Sequence, residues 1–451
     1  MPRPAFALTL PVLGAFLAIS ACPPAYAQES AAAQPVRVVK LPEVERSALE
    51  LQPQILVARA ATNIAAGQAD QARAPLLPQV TATASYTRET GNYVSRPGVI
   101  PGSTTVSTPG WDLGRSFDYW NFGVTAAQLV YDFGQTYERY KSARSTVEAQ
   151  RLQEQTTRLQ VVAGVRRTYF NARAMKELVD VARETLDDQN RHLTQVQAYV
   201  AVGTQPPIAL AQQRAAVANA QVQLITAQNN YETAKAQLNQ AAGLAAGTDY
   251  DVGDEELARV EEEDQPLEKL VEKALATRPE LASLFRQRQA QEASLSSAKG
   301  SYGPSLSAAA GATAQGVQLD HLVPNWNGGL VATWYVFQGG LTNGLVRQVE
   351  AQVQSIDAQR SLEELQVRLD VDTARLAVRA AKATIGAAAD AATSAREQLR
   401  LAEQRYATGV GNIIELNDAQ VASTSAAAQL VEARYGLSTA RAQLLAALGR
   451  T

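Results

Sequence analysis

The sequence predicts an α+β protein in which one helix–strand–strand–helix unit is used twice. Three features predict it: a self-match at a constant offset, two uninterrupted helical runs of unusual length, and four segments that alternate apolar with small or polar residues. Aromatic residues make up only 6% of the 451 while alanine is abundant, as expected where helices approach through small side chains. The composition also excludes other classes. One cysteine and two histidines, His192 and His321, cannot build a zinc, haem or iron–sulfur site within one chain, so no metal and no cofactor is expected. Cys22 alone cannot found a disulfide framework. A net charge of −3 gives no electrostatic case for binding nucleic acid.

Residues 1–27 read as an export signal peptide, with Arg3 ahead of an apolar core from Ala5 to Ser20. Two processing readings stand. Ala25-Tyr26-Ala27 offers the small residues that a general signal peptidase needs, after Pro23-Pro24. Ile19-Ser20-Ala21-Cys22 resembles a lipobox, which would make Cys22 a lipidated N-terminus, although prolines directly after it favour the first reading. Residues 28–41 follow as an N-terminal tail. Nothing downstream reaches the run of about 18 apolar residues of a spanning helix, so the exported chain is periplasmic, secreted, or embedded in the outer membrane as strands.

The repeat orders the rest. Thr233-Ala234-Lys235-Ala236-Gln237-Leu238 matches Thr439-Ala440-Arg441-Ala442-Gln443-Leu444 at an offset of 439 − 233 = 206, which also pairs Asn121 with Asn327, Gly134 with Gly340 and Gly203 with Gly409. Upstream, Gln52-Pro53 pairs with Arg278-Pro279 and Pro78 with Pro304 at 226. The difference, 226 − 206 = 20, places one insertion between Val80 and Asn121, in the Gly-, Pro-, Ser- and Thr-rich loop Gly91–Gly114. The repeats then cover 42–243 and 267–449, joined by 244–266. Each opens with a helical stretch (about 42–75 and 267–301), followed by a proline and two strands. Each then enters a proline-free run, Gly134–Gly203 or Gly340–Gly409, predicted as one helix of about 100 Å at about 1.5 Å per residue. Such lengths imply coiled-coil packing or a helical tube.

The strands alternate. Trp120, Phe122, Val124, Ala126 and Val130 share a face in the second, and Trp326, Leu330, Ala332, Trp334 and Val336 in the fourth; Val80, Ala82, Ala84, Tyr86 and Leu306, Ala308, Ala310, Ala312 do so in the others. Apolar residues outward, small and polar residues inward, and aromatics near the ends form the pattern of a membrane barrel strand. A soluble half-buried sheet gives the same alternation but needs a cover, and the chain offers only polar-faced helices. Four strands cannot close a barrel alone, because unpaired edges in lipid are costly, so two or more copies must complete it.

With Thr277-Arg278-Pro279-Glu280-Leu281, Pro304-Ser305-Leu306, Phe337-Gln338-Gly339-Gly340 and Arg405-Tyr406-Ala407-Thr408-Gly409 in this order and spacing, the chain resembles the TolC family of outer-membrane channel proteins over about residues 40–449. The resemblance implies a homotrimer in outer-membrane lipid, with four strands per subunit completing a 12-stranded barrel and long helices forming a periplasmic tunnel. It implies export of small molecules or proteins with a periplasmic adaptor and an inner-membrane pump of RND or ABC type. It makes Trp120, Phe122, Val124, Trp326, Leu330 and Trp334 lipid-facing. It places Glu415 and Asp418 as an acidic ring at the periplasmic entrance, Tyr406 at the gate, and Val202-Gly203-Thr204 with Thr408-Gly409-Val410 at turns that meet the adaptor.

Plainer readings accompany each assignment. Glu415 and Asp418 also suit a helix N-terminus, a macrodipole effect of at most about 1 kcal/mol. Tyr406 also suits helix packing, and the turns are also simple helix–helix connections. Two positions depart from the family: Gly411 replaces a gating basic residue, and Ala209 stands where some members carry an acid. Between the repeats, Asp249–Asp264 holds nine acids and one base, Arg259, and reads as a solvated connector at the tunnel's waist, or else as an adaptor contact or weak cation site. No nucleophile elbow or phosphate loop accompanies either histidine, so an enzyme is not expected. The competing function is a periplasmic coiled-coil adaptor or structural protein of an export complex, which would need neither the four strands nor the duplication.

Overall fold

A computed structural model describes residues 37–90, 116–245, 247 and 250–450. The signal peptide, Cys22, the loop 91–114 and Asp249 lie outside them. The first repeat comprises α1 (Leu41–Leu51), α2 (Pro53–Arg73), β2 (Gln79–Thr90), β3 (Ser116–Tyr131), α3 (Gln135–Ala201) and α4 (Pro207–Ala242). The second comprises α5 (Leu267–Thr277), α6 (Pro279–Gly300), β5 (Ser305–Gly316), β6 (Val323–Thr333), α7 (Leu341–Ala407) and α8 (Ile413–Ala447). Element bounds repeat at the two offsets: 341 − 135 and 407 − 201 are both 206, and 305 − 79 and 316 − 90 are both 226. Two-residue strands β1 (Val38–Val39) and β4 (Asp251–Val252) pair in parallel, so the end of the tail is a strand.

The predicted opening helices 42–75 and 267–301 are each broken once, at Gln52 and Arg278. Both residues precede proline, whose ring disfavours a helical backbone before it, and both are extended (φ −67°, ψ 119° and φ −68°, ψ 123°). The breaks serve as joints. The end of α4 abuts Gln52, whose Nε2 donates to the carbonyls of Gln240 and Ala241 at 3.1 and 3.0 Å. The end of α8 abuts Arg278, whose Nε donates to the Ala447 carbonyl at 2.8 Å, beside Thr277 Oγ1 on Leu448 at 2.7 Å. Carbonyls that a helix C-terminus leaves unpaired are thus satisfied by the next helix in the stack.

Packing places α2 and α4 against one side of α3, and α6 and α8 between α3 and α7. The sheet has the matching order β2-β3-β5-β6, so each strand runs into its own helical column. Apolar seams at coiled-coil spacing hold the columns together, such as Val367, Val371, Ala374 and Val378 on α7. Two larger cores lie at the waist. One gathers Val165, Tyr169, Phe170, Leu238 and Val252, and the other Leu270, Val367, Val371, Leu444 and Leu448. No described helix is long and apolar enough to cross a membrane.

The sheet's faces differ as the alternation demands. On the crowded face, a Cβ on Gly123 would meet Thr83 Oγ1 at 3.1 Å and Thr313 Cγ2 at 3.2 Å, and one on Gly311 would meet Asn327 Oδ1 at 2.8 Å. The sheet therefore curves toward its Gly, Thr and Asn face. The opposite face carries Val80, Val124, Trp326 and Leu330, all exposed, Trp326 by 86%. Two details correct the sequence pattern. A bulge shifts the β3–β5 register between Leu129 and Tyr131, so Tyr131, not Val130, pairs with Leu306. And β6 ends at Thr333, leaving Trp334 and Val336 beyond it; the Trp334 indole donates to the Tyr302 carbonyl at 3.0 Å.

Candidate functional site

Two regions carry the candidate residues: the far ends of the hairpins α3–α4 and α7–α8, and the waist. Both hairpins turn on a left-handed glycine, Gly203 (φ 80°) and Gly409 (φ 77°). Gly203 N–H donates to the Val200 carbonyl and Thr204 N–H to Tyr199; Gly409 donates to Tyr406 and Val410 to Arg405. Each pair is a complete Schellman cap, which requires that left-handed residue. Val202 and Val410 stand out at the tips, 76% and 72% exposed. Pro206-Pro207 starts α4, while Asn412 caps α8 by accepting from the Glu415 N–H at 2.7 Å.

Tyr406 points into the protein. It is buried with Val196, Ala209, Ala402, Leu416 and Ala419, its ring 6.0 Å from that of Tyr199. Its hydroxyl is buried without a partner among the described residues, and burial, with Tyr199 adding, raises its pKa. Ala209 lies in the same cluster, in a place with no room for a solvated acid. Glu415 and Asp418 do lie one turn apart on α8, but they are not equivalent. Arg405 on α7 holds Glu415, Nε to Oε1 at 3.0 Å, while Asp418 is exposed without an ion-pair partner among the described residues. Gly411 is pressed against Arg405: its N–H donates to the Arg405 carbonyl at 2.8 Å, and a Cβ there would meet Arg405 backbone at 3.1 Å. The sequence reading gave Arg405 no role, although it stands in the quoted motif.

Between about 9 and 27 Å from the tips, at ~1.5 Å per residue, a second set of contacts joins the hairpins. Thr185 and Thr424 hydroxyls meet at 3.0 Å, Gln420 donates to Asp188, and His192 Nε2 lies 3.5 Å from Glu403 Oε1. His192 is buried, and burial lowers its pKa against the opposing pull of Glu403 and Asp188.

At the waist the solvated-connector expectation is corrected. Glu263 is 1% exposed and bridges Arg441 of α8 (2.9 and 3.3 Å) and Lys382 of α7 (2.7 Å). Glu262, also buried, takes Arg450 at 3.0 Å and Lys273. Asp254 takes both Arg173 nitrogens, and Asp251 takes Lys176 and the Tyr231 hydroxyl. Burial alone would raise the pKa of Glu263 and of Asp251, but these partners hold both below the ordinary carboxylate range. The connector is therefore a clasp across α3, α7 and α8. Among the described residues Asp251, Asp254, Glu256, Glu262, Glu263 and Asp264 pair with Arg or Lys, Glu255 accepts from the Leu41 N–H, and no group of three or more His, Cys, Asp or Glu is placed to hold a metal. Sequence reasoning missed the clasp because its basic partners are spread over helices distant in the chain.

Comparison with known proteins agrees with this architecture. The family model described as outer membrane efflux protein matches residues 44–244 and 270–450. Outer membrane protein TolC of Escherichia coli K12 is 26% identical over 439 residues, spanning 91% of this chain and 82% of that one. Among solved structures, the Campylobacter jejuni CmeC outer membrane channel superposes with a TM-score of 0.78 at 19% identity, covering 91% of this chain and 85% of that one. The Vibrio cholerae outer membrane protein VceC gives 0.77 at 19%, covering 91% and 96%.

Proposed function

We propose that three copies of this chain, which belongs to the outer membrane efflux protein family, assemble into one channel that is a transport duct and not an enzyme. It is an outer-membrane exit duct of an efflux system, with its helices reaching into the periplasm. One observation carries the assembly, and the family likeness its threefold count: both layers end in unpartnered edges. Among the described residues, strands β2 and β6 have no outer neighbour in the sheet. The matching columns expose apolar stripes, Leu362, Leu365, Leu369 and Leu376 on α7 and Val57 and Ile64 on α2. Spacings of three, four and seven are a coiled-coil seam awaiting a helix, and strand edges in lipid must pair. The α7–β6 edge of one copy meeting the α2–β2 edge of the next satisfies both, and three copies close twelve strands.

On this reading Trp120, Phe122, Val124, Trp326 and Leu330 face lipid, with Trp334 just below the strand at the membrane boundary. The tips around Gly203 and Gly409 receive a periplasmic adaptor, which couples the duct to an inner-membrane pump of RND or ABC type. Asp418 and Glu415 line the entrance, and Tyr406 packs the hairpins whose separation opens it. Outer-membrane fractionation with unheated electrophoresis tests the assembly. A detergent-resistant band of three subunits is expected, and a soluble monomer refutes the channel. Palmitate labelling of the wild type and C22S decides whether Cys22 is lipidated.

A further inference from the structure

We infer that Arg405 is a built-in counter-ion that sets the charge selectivity of the entrance by neutralising Glu415. The inference rests on the proposed reading that the second hairpin lines that entrance. The pair spans the turn between α7 and α8 and is fixed from both sides. Arg405 lies in the last turn of α7, where its carbonyl accepts from both Val410 and Gly411 N–H, at 3.0 and 2.8 Å. Glu415 lies in the first turn of α8, its N–H held by the Asn412 side chain at 2.7 Å. A basic residue ending one helix and an acid opening the next each suit the local helix dipole. The Glu415 carboxylate reaches Arg405 across the turn, at 3.0 Å.

The pair does little for stability. Its side chains are 54% and 41% exposed, and ion pairs in water contribute little to folding. What it changes is the field. Asp418, one turn along, has no ion-pair partner among the described residues, so each subunit presents two carboxylates and one guanidinium within two turns of helix. The net charge of these three groups is half that of the two acids alone, and anionic solutes meet less repulsion than two free acids per subunit would impose. The packing explains why the base sits on this side of the turn. A Cβ at 411 would press on the Arg405–Tyr406 backbone at 3.0–3.1 Å, so glycine there lets the turn close tightly beneath Arg405. Both groups also line one groove of about 650 Å³ between α7 and α8, so the pair is open to solvent.

Reversal potentials in a KCl gradient across planar bilayers, with the intact channel, test this. R405Q removes the counter-ion and should raise the K⁺/Cl⁻ permeability ratio several-fold. E415Q unmasks the guanidinium and should lower the ratio below wild type, as should D418N. The double variant R405Q/E415Q restores the wild-type balance of one net negative charge per subunit and should return the ratio close to wild type. R405K keeps the charge and should keep the ratio. If D418N lowers the ratio while R405Q leaves it unchanged, the counter-ion inference fails and the entrance reading survives. If D418N, E415Q and R405Q all leave it unchanged, the hairpin does not line the entrance and both fail.

Discussion

Replacing Glu263 with glutamine should release the waist clasp while leaving the helices folded. The substitution preserves shape and removes one buried charge that three cations share. Arg441, only 15% exposed, would keep its bond to the Leu257 carbonyl and one to the amide oxygen, but lose its second contact and the charge opposite it. Lys382, 31% exposed, would keep Asp264 at 2.7 Å, and Arg259 is largely in water. Removing one partner of a buried pair costs about 3–5 kcal/mol, and the contacts that survive here put the expectation at the lower end, about 3 kcal/mol. The loss should be confined to the waist, since the hairpin contacts nearer the tips, around Tyr406 and Ala392, do not involve the connector. Hydrogen exchange followed by mass spectrometry reads it directly. Amides of 250–265 should exchange about two orders of magnitude faster, at about 1.36 kcal/mol per tenfold, with the tips unchanged. The pH dependence has a definite sign. The folded-state pKa of Glu263 is depressed, so its contribution is complete above the ordinary glutamate value of about 4.3 and is lost as pH falls through the folded value. Unchanged exchange in E263Q at neutral pH would refute the clasp.

Three further outcomes follow from the same contacts. His192 has a lowered pKa, mainly through burial, so proton uptake favours hairpins that separate and expose it; the latch it shares with Glu403, Asp188 and Arg191 is intact above about pH 6.5 and weakens below. Intrinsic-rate-corrected exchange along 389–407 should rise between about pH 7.5 and 5.5 in the wild type, and H192Q should abolish that rise. R278A should cost about 2–3 kcal/mol in denaturant unfolding, by orphaning the Ala447 carbonyl and Asp370, while R278Q should recover part of it, since Gln52 does the same capping in the first repeat. G409A meets no neighbouring atom, so its cost of about 1 kcal/mol comes from backbone strain alone and should raise exchange at 405–412 about fivefold.

The fold was legible where one rule governs a long stretch. Freedom from proline and the recurrence of Gly134, Gly203, Gly340 and Gly409 mark α3 and α7 to within a residue or two at each end. Alternation marks the four strands. What escaped is set by contacts distant in sequence. Gln52 and Arg278 stand before prolines, which signals a break, but their role as end-caps depends on Gly243 and Gly449 arriving about 170–190 residues later. The bulge beside Tyr131 is invisible in the pattern, because Val130 and Tyr131 are both acceptable on an outward face. The acidic run between the repeats looks like a solvated linker on charge alone, and only the folded chain brings Arg441 and Lys382 to the buried Glu263 and Arg173 and Lys176 to Asp254 and Asp251.

The candidate mouth shows how a duplicated unit divides its labour. At the 206 offset, Tyr199 and Val200 correspond to Arg405 and Tyr406, and Ala209 to Glu415, around the matched Gly203 and Gly409. The backbones of the two turns are the same Schellman cap, so the difference lies in the side chains that the cap presents. The first hairpin contributes an apolar surface: Ala209 is buried beneath Tyr406, and the Tyr199 ring lies against it. The second carries the charges, with Arg405 and Glu415 paired across its own turn and Asp418, among the described residues, free of an ion pair. An acid at 209 would be buried in that cluster and, lacking a base within it, would separate the hairpins or remain protonated. Placing every charge of the tip on α7–α8 lets the two hairpins pack through alanine and tyrosine while one of them alone sets the electrostatics. Selectivity can then change by substitutions at 405, 415 and 418 without disturbing the packing that holds the hairpins together.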